Sequence, residues 1–223
     1  MNYKAIIFDM DGTIISSENV WKKAAHHIIK KHTTLDDNEC ETLLAFLKGG
    51  SLLISCSYIA KTFNTKATVE QLMEEKKEFA FNEFHKELSL IEGFNLFHKK
   101  LVEKNLKSAI ATNASLPELI KILEHIPLKD FFNEHIYTVD HVFKIAKPKP
   151  DVYLYAAKQL DIDPKFCIAI EDSAHGINAA KAAGMYCIGI NTGKNRSAIS
   201  HADEIVEHYN EIDLDKLLHE SKS

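Results

Sequence analysis

The chain has 223 residues, 45% apolar and 26% charged, which excludes collagen, low-complexity disorder and disulfide scaffolds and leaves room for one large domain or two modest ones. Its formal charge of −5 offers no basic stripe for a phosphate backbone, so no nucleic acid is expected as a partner. No apolar run approaches the roughly 18 residues of a membrane span, Asp9 and Asp11 cut the first apolar stretch too soon for a signal peptide, and the four cysteines stand apart without a C-x-x-C pair; the expectation is a soluble, cytoplasmic protein with no membrane partner.

Tyr3 to Phe8 reads as a first strand, followed by about 80 residues of helical periodicity. Helices are expected over Glu18 to Lys31, Asp36 to Lys48 and Leu52 to Thr62, the last two parted by Gly49-Gly50. Thr68 and Gln71 form a capping-box pattern opening a fourth, whose apolar positions Val69, Leu72, Met73, Phe79 and Phe84 roughly follow three-four spacing. Four such helices make a small bundle, with Trp21 and Phe46 expected in its core. From Lys107 the pattern changes to alternating strand and helix. Lys107 to Ala111 reads as a strand, Ser115-x-x-Glu118 starts a helix, and Asp163-Pro164 opens a short turn or helix. Phe166 to Ile170 and Tyr186 to Ile190 read as buried strands joined by a helix over Ala174 to Ala183. Asp203 to Val206 and Leu214 to Leu218 supply a last strand and helix. This alternation builds an α/β fold with a doubly wound, Rossmann-like parallel sheet. The expected division is an α/β core over residues 1–15 and 90–223, with an α-helical bundle inserted at 16–89 over the carboxyl end of the sheet, where open α/β folds hold their ligands.

Four polar clusters fall at expected strand ends or before helices. Asp9-Met10-Asp11-Gly12-Thr13 puts two carboxylates two residues apart after the first strand, with a glycine for a sharp turn. Carboxylates this close raise one another's pKa unless a cation sits between them, which points to a hard divalent ion, although aspartates also end strands and cap turns. Thr112-Asn113 offers a hydroxyl, an amide and backbone N–H groups to an anion, or simply a turn with a cap. Lys147-Pro148-Lys149-Pro150-Asp151 holds two lysines in an extended stretch, one able to pair with a phosphate or carboxylate and Lys149 read as solvated. Glu171-Asp172-Ser173 brings two more carboxylates, more than helix capping needs. Mg²⁺ on carboxylates, a lysine and hydroxyl for phosphate oxygens, and a spare carboxylate together describe phosphoryl transfer to an aspartate.

In this order, D-x-D-G-T, T-N, K-P-x-P-D and E-D-S-x-x-G-I resemble the haloacid dehalogenase-like hydrolase superfamily over nearly the whole chain. The position of the helical insert resembles a subfamily I cap domain, in the branch of phosphatases and β-phosphoglucomutase-like enzymes. The resemblance implies that Asp9 is the nucleophile, forming an aspartyl-phosphate, and that Asp11 is the general acid and base. It further implies Mg²⁺ held by the Asp9 carboxylate, the Asp11 main-chain oxygen and Asp172, with Glu171 nearby or acting through water. Thr112 and the Asn113 backbone would hold phosphate oxygens, Lys147 would balance the charge, and Gly49-Gly50-Ser51 resembles the substrate-specificity loop, with Lys48 or Ser51 reaching the leaving group. The implied activity is a phosphatase for a small phosphorylated metabolite such as a sugar phosphate or phosphoglycolate, acting as a monomer or weak homo-oligomer.

Asp11 argues against dehalogenase chemistry, which lacks that second aspartate. Hexose-phosphate mutases carry a histidine and an arginine at places resembling Trp21 and Leu52 here, departures that count against mutase activity and leave it as the alternative to the phosphatase. Phosphonate cleavage would need a cap lysine that nothing singles out. A receiver domain fits neither the length nor the order, and a catalytically idle phosphometabolite-binding protein would show binding without turnover. The twelve histidines form no ladder with a supporting acid, which favours Mg²⁺ over zinc.

Overall fold

The computed structural model describes residues 3–47 and 52–219. Strand β1 (Ala5–Phe8) is buried throughout because all four of its residues are apolar. The two-residue strand β2 (Ile15–Ser16) follows, then helices α1 (Glu18–His32), α2 (Asp37–Leu47), α3 (Leu52–Thr62) and α4 (Val69–Glu87), and a second two-residue strand, β3 (Ser89–Leu90). The rest of the chain runs through α5 (Phe94–Glu103), β4 (Lys107–Ala111), α6 (Leu116–Leu123), α7 (Leu128–Phe132), β5 (Ile136–Tyr137), α8 (Asp151–Gln159), β6 (Cys167–Glu171), α9 (Ala174–Ala182), β7 (Tyr186–Ile190), β8 (Glu204–Val206) and α10 (Leu214–His219).

Six strands form one parallel sheet in the order β5-β4-β1-β6-β7-β8, the doubly wound α/β arrangement. The chain builds outward from β1 on one side and then on the other, so β1 is the switch point at which such sheets hold ligands. Its register sets Phe8 beside Ile110 of β4 and Ile170 of β6, so the segments starting at Asp9, Ala111 and Glu171 leave the sheet side by side.

Alternation along the strands divides the core. Ala5 and Ile7 pack with Ala109, Ala169, Val152 and Ala156 on one face, where small side chains let α8 approach closely. Phe8 points to the other face and meets Phe94 and Phe132 edge to face, each at 5.7 Å.

By contacts the chain divides into two compact units, Met1–Ser16 with Ser89–Ser223, and Ser17–Leu88. Within the first, β2 and β3 pair antiparallel, Ile15 beside Leu90. Within the second, α1 packs along α4, and Ile28, Ile29, Cys40, Leu43, Leu44, Cys56, Ile59 and Leu72 make its core. The capping box of α4 forms: the Gln71 N–H donates to Thr68 Oγ1 at 3.2 Å, and the Thr68 N–H to Gln71 Oε1 at 2.9 Å.

Phe46 corrects the sequence reading. It is 67% exposed and leans on Tyr58, because the apolar stripe of α2 runs through Cys40, Leu43, Leu44 and Leu47 and leaves position 46 off the core side. Trp21 is half-buried, edge to face with Phe84 at 6.3 Å. Phe166 sits in a 3₁₀ turn (Pro164–Phe166) capped by Asp163, and the strand starts one residue later. All four cysteines are buried and free. Among the described residues no helix is long and apolar enough to cross a membrane.

Candidate active site

The turn after β1 is shaped by Gly12, whose φ of +81° suits glycine. Space requires glycine there as well, since a Cβ at position 12 would lie 2.1 Å from Asp172 Oδ2. The turn is tied down by the Thr192 hydroxyl, which donates to the Gly12 carbonyl at 2.5 Å, and by the buried Tyr209 hydroxyl, which donates to the Thr13 carbonyl at 2.9 Å. Asp9 is held at the sheet end by its N–H, which donates to the Ile170 carbonyl at 2.9 Å.

Lys147 reaches this point from the loop before α8. Its N–H donates to Asn113 Oδ1 at 2.8 Å, so the Asn113 side chain fixes the lysine loop while Thr112 Oγ1 accepts from the Ala114 N–H at 3.1 Å. The Lys147 side chain is 3% exposed, and Nζ lies 2.6 Å from both Asp9 Oδ1 and Glu171 Oε1. Lys149, by contrast, is exposed, as its solvated reading requires.

Glu171 is fully buried and its carboxylate is heavily committed. Oε1 accepts from Lys147 Nζ and, at 2.9 Å, from the Tyr153 hydroxyl; Oε2 accepts from the Ser173 hydroxyl at 3.0 Å and its N–H at 3.3 Å. It lies so close to α9 that a Cβ at Gly176 would sit 1.7 Å from Glu171 Oε1. The Tyr153 ring lies under the ammonium, with Nζ 4.7 Å from its centroid. Tyr153 is the member that the sequence reading passes over. Its signal was a hydroxyl on the buried face of α8, two residues past the K-P-x-P-D motif.

Carboxylate oxygens of Asp9, Glu171 and Asp172 all lie within 4.8 Å of one another. Burial pushes the Asp9 carboxyl up to about 7; Lys147 pulls it down, while Glu171 and Asp11 add repulsion. Burial, with Asp9 and Glu171 next, holds Asp172 well above the usual carboxylate range. Burial alone would lower the Lys147 ammonium, but its two carboxylate partners outweigh it and hold it above its ordinary value. Asp9 and Glu171 thus share one buried ammonium with Asp172 beside them, and that surplus of hard oxygen donors suits a divalent ion such as Mg²⁺. Ser51, with Lys48 and Gly49-Gly50, lies outside the described residues.

A family model described as haloacid dehalogenase-like hydrolase matches residues 6–190. The β-phosphoglucomutase of Bacillus subtilis is 30% identical over 97% of this chain and 94% of its own length. The fructose-1-phosphate phosphatase YqaB of Escherichia coli is 27% identical over 84% of this chain and 96% of its own. In fold, the chain is similar to a solved HAD hydrolase, family IA, variant 3, from Entamoeba histolytica, with a TM-score of 0.82 at 24% identity and 98% of each chain covered.

Proposed function

The chain belongs to the haloacid dehalogenase-like hydrolases and is a phosphoric monoester hydrolase, and from that premise we propose a Mg²⁺-dependent phosphatase of a small phosphorylated sugar or similar metabolite, working through an aspartyl-phosphate on Asp9. The observation that carries this reading is the buried Asp9–Lys147–Glu171 ion triad beside Asp172 at the end of the central strand.

Asp9 and Asp172 would hold the ion. The family resemblance adds the Asp11 main-chain oxygen, and Glu171, already engaged with Lys147, Tyr153 and Ser173, would act from behind it. When bound, Mg²⁺ supplies positive charge to the nucleophile and to the phosphoryl oxygens.

An Asp9 carboxylate oxygen attacks phosphorus, the bond from phosphorus to the leaving oxygen breaks, and Asp11 gives its proton to that oxygen. Asp11 then takes a proton from water, whose oxygen attacks phosphorus and breaks the aspartyl bond, releasing phosphate. Lys147 offsets the charge of Asp9 and of the phosphoryl group, while Thr112 and the Asn113 backbone hold phosphoryl oxygens. The helical unit serves as a cap, its boundaries near residues 16 and 89.

The β-phosphoglucomutase relative supports a second reading, mutase activity, against which stand Trp21 and Leu52 at the positions resembling the mutase histidine and arginine. The test is phosphate release from sugar phosphates, phosphoglycolate and p-nitrophenyl phosphate, with Mg²⁺ or EDTA. Metal-dependent release lost in Asp9→Asn supports the phosphatase. Interconversion of hexose phosphates without net release would replace it with the mutase.

A further inference from the structure

Residues 10–15 turn back on themselves directly after Asp9, and a turn at a buried sheet end must find donors for its carbonyls. The Met10 carbonyl accepts from the Ile14 and Ile15 N–H groups at 2.8 and 3.0 Å, and the Ile14 carbonyl accepts from the Ile91 N–H at 2.8 Å. These are backbone bonds. The Gly12 and Thr13 carbonyls instead accept from side-chain hydroxyls 180 and 196 residues further along the chain, those of Thr192 and Tyr209.

Both donors are themselves held in place. Thr192 follows β7, and the preceding Asn191 is fixed to the strand beside it, its N–H donating to the Val206 carbonyl at 2.8 Å and its Nδ2 to Glu207 Oε2 at 2.7 Å. Tyr209 opens the 3₁₀ turn (Tyr209–Glu211) after β8, where its buried ring meets Phe94 edge to face at 5.7 Å and leans on Phe97 at 5.1 Å. The start of α5 closes on it so tightly that a Cβ at Gly93 would come within 3.3 Å of Tyr209 Cβ. Burial, with Asp9 and Asp172 next, holds the Tyr209 hydroxyl well above its ordinary value, so it stays a donor. Asp11 therefore lies between two anchors: the Asp9 N–H on the Ile170 carbonyl before it, and the two hydroxyl-held carbonyls after it. Gly12 has no slack either, since it rests against the Asp172 carboxylate. An aspartate side chain is short, so the backbone on either side of it decides where its carboxyl can reach.

We propose that Thr192 and Tyr209 are positioning residues for the acid–base steps, their hydroxyls fixing the backbone just past Asp11 and so aiming its carboxyl first at the leaving oxygen and then at the attacking water. The proposal rests on the phosphatase reading and deepens it, by assigning to two loops at the C-terminal side of the sheet a role in a step carried out by a residue near the N-terminus.

Two aryl phosphates of similar shape separate positioning from a loss of stability. p-Nitrophenolate departs as a stable anion, whereas the more basic phenolate needs a proton, so only phenyl phosphate requires Asp11 as acid when the aspartyl-phosphate forms. At saturating Mg²⁺, Tyr209→Phe and Thr192→Val are each expected to lower kcat/KM for phenyl phosphate about tenfold or more, and that for p-nitrophenyl phosphate less than about threefold. Breakdown needs Asp11 as base with either ester, so kcat for p-nitrophenyl phosphate should fall too, with a burst of p-nitrophenolate before slow turnover. Thr192→Ser keeps the hydroxyl and should keep the wild-type ratio of the two esters. In an Asp11→Asn background either substitution should change the rates less than about twofold, because the group it positions is already gone. Equal losses on the two esters, no loss on either, Thr192→Ser as impaired as Thr192→Val, or undiminished effects in Asp11→Asn would overturn the proposal. Tyr209→Phe leaves the Thr13 carbonyl without its buried donor, and if that variant fails to fold, the half-buried Thr192 carries the same comparison. Release of neither phenol by the wild-type chain with Mg²⁺ would overturn the phosphatase reading and this proposal with it, whereas wild-type release with equal losses in the variants would overturn this proposal alone.

Discussion

Lys147→Met removes the ammonium that two buried carboxylates share and leaves a side chain of similar length. In the wild-type chain Nζ lies 2.6 Å from Asp9 Oδ1 and 2.6 Å from Glu171 Oε1, whose side chains are 12% and 0% exposed. After the substitution Glu171 keeps the Tyr153 and Ser173 hydroxyls, whereas Asp9 loses a partner that nothing else nearby replaces. Leaving one side of a buried pair uncompensated costs about 3–5 kcal/mol, which in a chain of this size lowers the Tm by about 6–20 °C. The cost depends on pH. Asp9 titrates at about 7, so at pH 5 it is mostly protonated and the variant forfeits chiefly the Glu171 contact, whereas at pH 8 two carboxylates lose their cation. Urea or thermal unfolding of the metal-free protein at pH 5 and pH 8 measures this, with Lys147→Met/Glu171→Gln expected to recover part of the loss. A destabilisation equal at the two pH values, or below about 1 kcal/mol, would refute the reasoning.

Tyr153→Phe deletes one hydrogen bond to Glu171 while keeping the ring under Lys147; it is expected to cost about 1.5–3 kcal/mol of stability and to lower kcat more than it raises KM, and an unchanged Tm and kcat would contradict that. Gly176→Ala would drive a Cβ into the Glu171 carboxylate, so activity should fall with the Lys147 position disturbed, and wild-type turnover in this variant would count against the packing described. Asp9 and Asp172 hold protons in the fold that the unfolded chain releases near pH 4. Metal-free stability therefore falls as pH rises from about 4 toward 7, and the Tm gain on adding Mg²⁺ should be larger at pH 8 than at pH 5. A Mg²⁺ effect independent of pH would speak against these carboxyls as its ligands.

Much of the sheet was legible because its strands are short apolar runs ended by turn chemistry: Lys107–Ala111 and Tyr186–Ile190 fall where periodicity puts them. The capping residues Thr68, Ser115 and Asp163 marked helix starts for the same local reason. Strand β5, two residues long, and helices α5 and α7 were not read, since their existence depends on the aromatic packing around Phe94 and Phe132 more than on local pattern. Of the candidate site, the residues at strand ends were visible as motifs. The partnership of Lys147 with Glu171, the hydroxyl of Tyr153 and the role of Asn113 in fixing the lysine loop were not, because each joins segments that sequence spacing leaves far apart.

The central claim is that Asp9 carries the phosphoryl group. The direct measurement is mass spectrometry of acid-quenched protein after mixing with Mg²⁺ and p-nitrophenyl phosphate, whose leaving group departs as a stable anion without a proton from Asp11, using Asp11→Asn to slow breakdown of the intermediate. The account predicts a phosphoryl adduct on the peptide holding Asp9 and none in Asp9→Asn, which should also have lost phosphate release. An adduct on another residue, or phosphate release undiminished in Asp9→Asn, would contradict it.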